Sequence, residues 1–354
     1  MSDAHRQSSP IIGILGAGSW GTALAIHLGR TGRAVRLWAR DHELARTIQA
    51  TRENPRYLPG IAVPPGVLCT ADASRALSEA RIVIVAVPSH GVQAVLDTVS
   101  AAIGPAATLV SGAKGLEPGR GRRVSELLEE LLPDRPVAVL SGPSFAREVA
   151  IDLPAALVIA SRDDQVAREL QRALSASTFR LYTNRDVVGV ELGGALKNVV
   201  AIATGLCDGM SLGENARAAL ITRGLAEIVR LGVAFGAQPA TFLGLAGLGD
   251  LVLTCTGSLS RNRALGLAVA RGSSVAEVER ATRMVAEGVR TVDSALRLAG
   301  AAGIAMPICE EVQRVLGQNK PVADALRSLL AREPRPEDEG ERTAAAGGAG
   351  RQDA

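Results

Sequence analysis

Two hydrophobic rhythms divide the chain. Short apolar runs at 11–15, 34–38, 81–87, 108–111, 137–140, 155–160 and 179–182 predict buried strands, and segments at 22–30, 41–50, 89–99 and 163–174 carry apolar residues at helical spacing. Strands alternating with helices predict a mostly parallel, doubly wound α/β sheet of the Rossmann type. The proline-rich stretch 54–65 reads as an exposed loop. From about Glu191 the alternation stops, and Ala, Leu and Val recur at the spacing of packed helices, later at 260–271, 275–284, 291–302 and 310–316. The expected organisation is a disordered polar extension over 1–10, the α/β domain over 11–191, an all-α domain over 192–332, and a charged, Pro/Gly/Ala-rich disordered tail over 333–354. Ligands of doubly wound sheets bind beyond the carboxyl ends of the strands. The loops at 16–21, 88–90, 112–115 and 141–146 should therefore meet in one crevice.

The first of these loops carries a chemical signal. Gly16, Gly18 and Gly21 stand in G-x-G-x-x-G spacing between a predicted strand and a predicted helix, with a second strand following. Gly16 allows the sharp turn, Gly18 lets a pyrophosphate approach the backbone, and Gly21 lets the helix pack closely on the strand. The phosphates would rest on free N–H groups at the helix start. This predicts a bound dinucleotide. At the end of the second strand an acidic residue suits the ribose of NAD, and an arginine suits the 2′-phosphate of NADP. Arg40 precedes Asp41 there, which favours NADPH with NADH also accommodated; two solvated charges at a strand end are the plain alternative.

Composition narrows the class. A length of 354 residues suits two domains, and 47% hydrophobic residues suffice for their cores. The formal charge of +3 is small, with no basic stripe interleaved with aromatics, which argues against nucleic acid. The polar first ten residues lack a signal-peptide core, and no uncharged apolar run has membrane-spanning length, so a cytoplasmic protein without membrane insertion is expected. Cys69, Cys207, Cys255 and Cys309 show no metal-ligand spacing and read as reduced core or loop residues, with no metal expected. The apolar content of the helical domain permits a homodimer.

Lysine is scarce. Of 39 basic residues only Lys114, Lys197 and Lys320 are lysines. Arginine does not release its proton in a protein, whereas lysine can. Hydride transfer from a nicotinamide to a carbonyl needs a proton donor at the substrate oxygen. His5, His27 and His42 lie away from the predicted crevice, and His90 can be explained by cofactor contact. Lys197 is the better candidate, because it lies in an apolar helical stretch where desolvation would lower its pKa; a lysine snorkelling from a helix face is the alternative. Asp250 reads as part of a glycine-rich turn between helices. Ser260, Arg261 and Asn262 read as a helix start, where Ser260 is either a plain N-cap or part of a phosphate clamp with its neighbours.

These segments together resemble a known family. GAGSWGTALA, VPSH, SGAKGLE, SGPSFAREV, ALKNVVAIATG, GLGDLVLTC, SRNRALG and VAEGVRT, in this order, are similar to the bacterial NAD(P)-dependent glycerol-3-phosphate dehydrogenases over about 11–330. The resemblance implies reversible reduction of dihydroxyacetone phosphate to sn-glycerol 3-phosphate, for glycerophospholipid synthesis, in an α/β domain followed by a helical substrate and dimerisation domain. It implies Lys197 as proton donor and acceptor. It implies substrate contacts from Lys114, Gly142, Ser144, Lys197, Asp250, Ser260, Arg261 and Asn262, with Asn198 orienting substrate or lysine. Cofactor contacts are implied for Ser19, Trp20, Arg40, Lys114, Ala146, Arg261, Val285 and Glu287, beside the fingerprint glycines. Gly257 stands where the family pattern has a second serine. Two rivals remain at this stage: a related lysine-dependent hydroxyacid dehydrogenase, and a dinucleotide sensor without catalysis.

Overall fold

Strand β1 (Ile12–Leu15) is central because it has no polar side chain and is buried along its length. It leads to α1 (Ser19–Arg30), β2 (Val35–Trp38), α2 (His42–Thr51), a small hairpin of β3 (Glu53–Asn54) and β4 (Leu58–Ala62), β5 (Val67–Thr70) and α3 (Ala73–Leu77). Then come β6 (Ile82–Val85), α4 (Val92–Val99), β7 (Thr108–Ser111), α5 (Val124–Leu131), β8 (Val137–Ser141), α6 (Ala146–Ala150), β9 (Ala155–Ala160), α7 (Asp164–Leu174) and β10 (Phe179–Asn184). The computed structural model describes residues 10–282, 286–333 and 336. Eight strands form one sheet in the order β10-β9-β8-β7-β6-β1-β2-β5. Its pairings are parallel except β8 with β9. Helices cover both faces, which is why the inner strands read as unbroken apolar runs.

The antiparallel β9 has a local cause. The chain reverses directly after β8 and pairs Ser141 with Val158, so α6 and the turn before it stay at the carboxyl edge of the sheet. Two further differences from the sequence expectation arise on the other side. The stretch 54–65 is not an exposed loop: Asn54, Leu58 and Ile61 are buried, and the Asn54 amide donates to the Ala17 carbonyl (2.9 Å) and the Thr22 hydroxyl (2.8 Å). Its prolines Pro55 and Pro59 lie on the outer side, where no ladder donor is needed. Strand β5 was hidden by its shortness and by Cys69 and Thr70 at its end, yet it pairs with β2 in register.

The helical part contains α8 (Val187–Gly209), α9 (Gly213–Ala234), α10 (Pro239–Phe242), α11 (Asp250–Thr256), α12 (Arg261–Ala270), α13 (Val275–Thr282), α14 (Glu287–Ala302), α15 (Pro307–Gln318) and α16 (Val322–Leu330). Helix α8 is its axis. It starts at Val187, so the expected change of character at 192 falls inside a helix. By length and hydropathy α8 could span a membrane, as could Pro239–Thr256, but the apolar window of α8 is 94% buried within the fold. All four cysteines are buried and free.

A buried carboxyl group ties the helices together. The Glu227 carboxylate on α9 accepts from the Ile308 N–H (2.8 Å) and the Cys309 N–H (3.4 Å), satisfying donors that the first turn of α15 leaves unpaired. Burial raises its pKa from 4.5 to about 7, against the lowering effect of those hydrogen bonds. The folded chain therefore keeps a proton that the unfolded chain releases, so stability present below 4.5 is lost as pH rises through about 7. Glu227→Gln removes this titration. Its Tm should gain on the wild type by a few degrees from about pH 5 to about pH 8, and a constant difference across that range would disprove the assignment.

Candidate active site

The β1–α1 turn fits a dinucleotide. Gly16 has φ of +108°, and a side chain on Gly21 would sit 1.9 Å from the Gly16 carbonyl oxygen, so the turn and the helix approach both require glycine. A side chain at Gly18 would meet nothing within 4 Å, which leaves open room for a ligand against the backbone. The first N–H groups of α1 point into that space without helical partners. Ser19 opens the helix and donates its hydroxyl to the Tyr57 carbonyl at 2.8 Å, anchoring the β3–β4 hairpin beside the turn. The indole N–H of Trp20 is buried and has no partner among the described residues, and the Trp20 ring lies 5.8 Å from the Lys114 ammonium. These features fit a nicotinamide dinucleotide.

Strand β2 ends at the same opening. Arg40 is exposed and makes no hydrogen bond among the described residues. Asp41 is committed: one oxygen caps α2 by accepting from Glu43 N–H (2.9 Å) and Leu44 N–H (3.1 Å), and the other pairs with Arg56 at 2.9 Å. The carboxylate is thus occupied as a cap while the guanidinium is available. His90, in the turn after β6, has its pKa lowered by burial and by Arg290 and Arg40, so it is neutral beside two cations.

Deeper in the crevice the buried Lys197 and the half-buried Lys114 share one carboxylate. Lys114 follows β7, Lys197 lies on α8 and Asp250 starts α11. Asp250 does not sit in an open turn, as the glycine pattern suggested: the five residues before it form a wide helical turn over Leu245–Gly249, and its side chain is 1% exposed. The Lys114 ammonium donates to the Gly142 carbonyl (2.7 Å), the Ser144 hydroxyl (3.1 Å) and the second oxygen of Asp250 (3.0 Å). All three of its protons are used. Lys197 donates to the first oxygen of Asp250 and to the Thr254 hydroxyl (2.9 Å), which itself donates to the Asp250 carbonyl (2.6 Å). One proton of Lys197 remains free. Burial lowers the Lys197 pKa from 10.5 to about 7, with Asp250 pulling it back up and Lys114 pushing it down. Lys197 thus has a free proton and a pKa suited to exchanging it near neutrality, whereas the three protons of Lys114 are all bonded.

The remaining predicted residues surround this pair. Ser260 caps α12, its hydroxyl accepting from the Arg263 N–H at 3.3 Å. Arg261, in the first turn, is solvent-accessible and makes no hydrogen bond among the described residues; the walls of the crevice lower its pKa and Glu287 raises it. Glu287 begins α14 and accepts from the Ser89 hydroxyl at 3.0 Å, which joins the helical part to the loop after β6. Asn198 donates to the Lys114 carbonyl (2.8 Å), and Asn262 donates to Asn198 (2.9 Å). Gly142 has φ of +136° and lies against Leu157, which turns its carbonyl toward Lys114. Ala146 opens α6 at the same edge. Val285 lies outside the described residues.

Comparison with known proteins shows the family of the chain. The model of the NAD-dependent glycerol-3-phosphate dehydrogenase N-terminus matches residues 11–167, and that of the C-terminus matches residues 186–327. The chain belongs to the NAD-dependent glycerol-3-phosphate dehydrogenase family. It is 50% identical to a glycerol-3-phosphate dehydrogenase [NAD(P)+] of Geobacter sp. (strain M21), over 91% of this chain and 97% of that one. The corresponding protein of Moorella thermoacetica is 49% identical over 91% of this chain and 96% of its own length. Among solved structures, glycerol-3-phosphate dehydrogenase of Coxiella burnetii superposes with a TM-score of 0.88 at 42% identity, covering 92% of this chain and 99% of that chain. A ketopantoate reductase of Ralstonia eutropha, at 20% identity and a TM-score of 0.60, shares the fold alone.

Within this glycerol-3-phosphate dehydrogenase family member, two residues of the site were not singled out from sequence. Thr254 stands four positions after Asp250, so both project from one face of α11, a signal available once that segment is read as helix. Ser89 lies in the loop at 88–90 that the strand pattern placed in the crevice, but its pairing was hidden, because its partner Glu287 is 198 positions away.

Proposed function

We propose that this chain catalyses the reversible reduction of dihydroxyacetone phosphate to sn-glycerol 3-phosphate, a building block of glycerophospholipids, with NADPH as the preferred reductant and NADH as the slower one. NAD(P)H, when bound, supplies a hydride to the ketone carbon. Lys197 donates its free proton to the carbonyl oxygen and, in the other direction, its neutral amine accepts the proton of the alcohol. Asp250 and Thr254 hold the other two protons of Lys197, so its ammonium is aimed in one direction. Lys114, fully bonded, serves as fixed positive charge rather than as an acid. Arg261 and the N–H groups at the start of α12 hold the phosphate, whose binding energy positions the ketone against Lys197. Arg40, with Asp41 occupied by α2 and Arg56, favours the 2′-phosphate of NADPH.

The observation that carries this reading is the asymmetry of the lysine pair around Asp250. The test is the initial rate of NADPH and, separately, NADH oxidation with dihydroxyacetone phosphate, dihydroxyacetone or a 2-keto acid. Turnover should be confined to the phosphorylated ketone, with kcat/KM for dihydroxyacetone lower by roughly 1,000-fold or more. Comparable rates with dihydroxyacetone would remove the phosphate clamp. Faster turnover of the keto acid would replace the reading with a hydroxyacid dehydrogenase.

A further inference from the structure

The two asparagines beside Lys197 form a relay with a defined polarity. The Asn198 amide N–H donates to the Lys114 backbone carbonyl at 2.8 Å, and its oxygen accepts from the Asn262 amide at 2.9 Å. The Asn262 oxygen then accepts from the Gly288 N–H at 3.0 Å. A carbonyl at one end and an N–H at the other leave one consistent orientation for both amides. Asn198 and Asn262 are 5% and 8% exposed, so these bonds form away from bulk water, where an unpaired partner is costly.

The far end of the relay is the first turn of α14. That turn rests directly on α8: a side chain at Gly288 would come within 2.7 Å of the Asn198 carbonyl oxygen and of Ile202. Glu287, one position earlier, reaches Ser89 on the opposite wall at 3.0 Å and lies against Gly115. A closed circuit therefore runs from the loop after β7 through α8, α12 and α14 to the loop after β6. Both end loops lie at the carboxyl edge of the sheet, where the dinucleotide fits.

We propose that Asn262 is a positioning residue for the cofactor: through Gly288 it sets the α14 start on the crevice, in addition to any contact with the phosphate substrate. Asn198 passes the same constraint to the Lys114 loop, so the walls that receive cofactor and substrate are held by one chain of amides. This rests on the reaction proposed above for the identity of the cofactor.

A binding measurement separates positioning from substrate contact. NADPH affinity is measured by calorimetry with no phosphate compound present, for the wild type, Asn262→Ala and Gly288→Ala. Gly288→Ala leaves Asn262 in place but pushes the α14 start off α8. Both variants should weaken NADPH about fivefold, the size of one buried amide hydrogen bond. A residue that only touched the substrate, or only supported the fold, would leave the NADPH Kd of the folded variant unchanged. Unchanged Kd in Asn262→Ala overturns the proposal. Should that variant fail to fold in a thermal melt, Asn262→Ser, too short to reach Gly288, is read in the same way. Wild-type turnover of dihydroxyacetone phosphate is scored separately. Its absence would count against the proposed reaction while the NADPH comparison still decided the role of Asn262.

Discussion

Lys197→Met should lower kcat for ketone reduction by roughly 1,000-fold at neutral pH while leaving the NADPH Kd close to that of the wild type. Methionine keeps the unbranched apolar stem that α8 buries, so the loss is that of the proton donor and not of packing. Asp250 retains its pairing with Lys114, so the variant leaves no unpaired buried carboxylate. The wild-type pH profile supplies the second half of the test. With a Lys197 pKa of about 7, ketone reduction requires the protonated form and should decline as pH rises above that value. Oxidation of the alcohol requires the neutral amine and should rise through the same range. Both limbs should vanish in Lys197→Met. Retention of more than about a tenth of the wild-type kcat, or of the limb near neutrality, would show that the proton comes from another group.

The second large effect is expected at Asp250. Asp250→Asn leaves the buried Lys197 and the half-buried Lys114 facing a neutral amide, and the attraction that raises the Lys197 pKa is lost while burial and Lys114 still lower it. Lys197 is then mostly neutral at pH 7. Ketone reduction should fall by roughly 100-fold there, and its optimum should move to lower pH, whereas Lys197→Met has no optimum to move. The variant should also melt earlier, because removing one member of a buried ion pair strands the other charges. Measuring kcat/KM against pH for the folded variant checks the assignment. An unshifted profile would mean that Asp250 supports the fold without governing the lysine.

These expectations depend on different amounts of information in the chain. The glycine turn is local: Gly16, Gly18 and Gly21 sit within six positions of one another, and the strand and helix around them follow from adjacent apolar spacing. The change from alternating strands to packed helices was legible for the same reason, since periodicity is a property of neighbours. Lys197 stood out through composition, as one of three lysines within an apolar stretch. Other features depended on distant neighbours. The hairpin at 53–62 looked like a loop because its buried face is completed by Asn54 bonding to Ala17 and Thr22, across sequence separations of 37 and 32.

What the sequence by itself determined was therefore the class of the fold, the place of the dinucleotide turn and the short roster of basic residues able to do chemistry. It already pointed to Lys197 as the proton donor, from its place in an apolar helical stretch, but not to how the protons of either lysine are used. Only the tertiary structure supplied that, because it depends on which protons are already bonded. The Lys114 partners Gly142, Ser144 and Asp250 lie 28, 30 and 136 positions away, and the Lys197 partner Thr254 lies 57 away. Hydrogen-bond saturation and desolvation are sums over neighbours in space, and at these separations the neighbours are chosen by the packing of α8 and α11 against the carboxyl edge of the sheet.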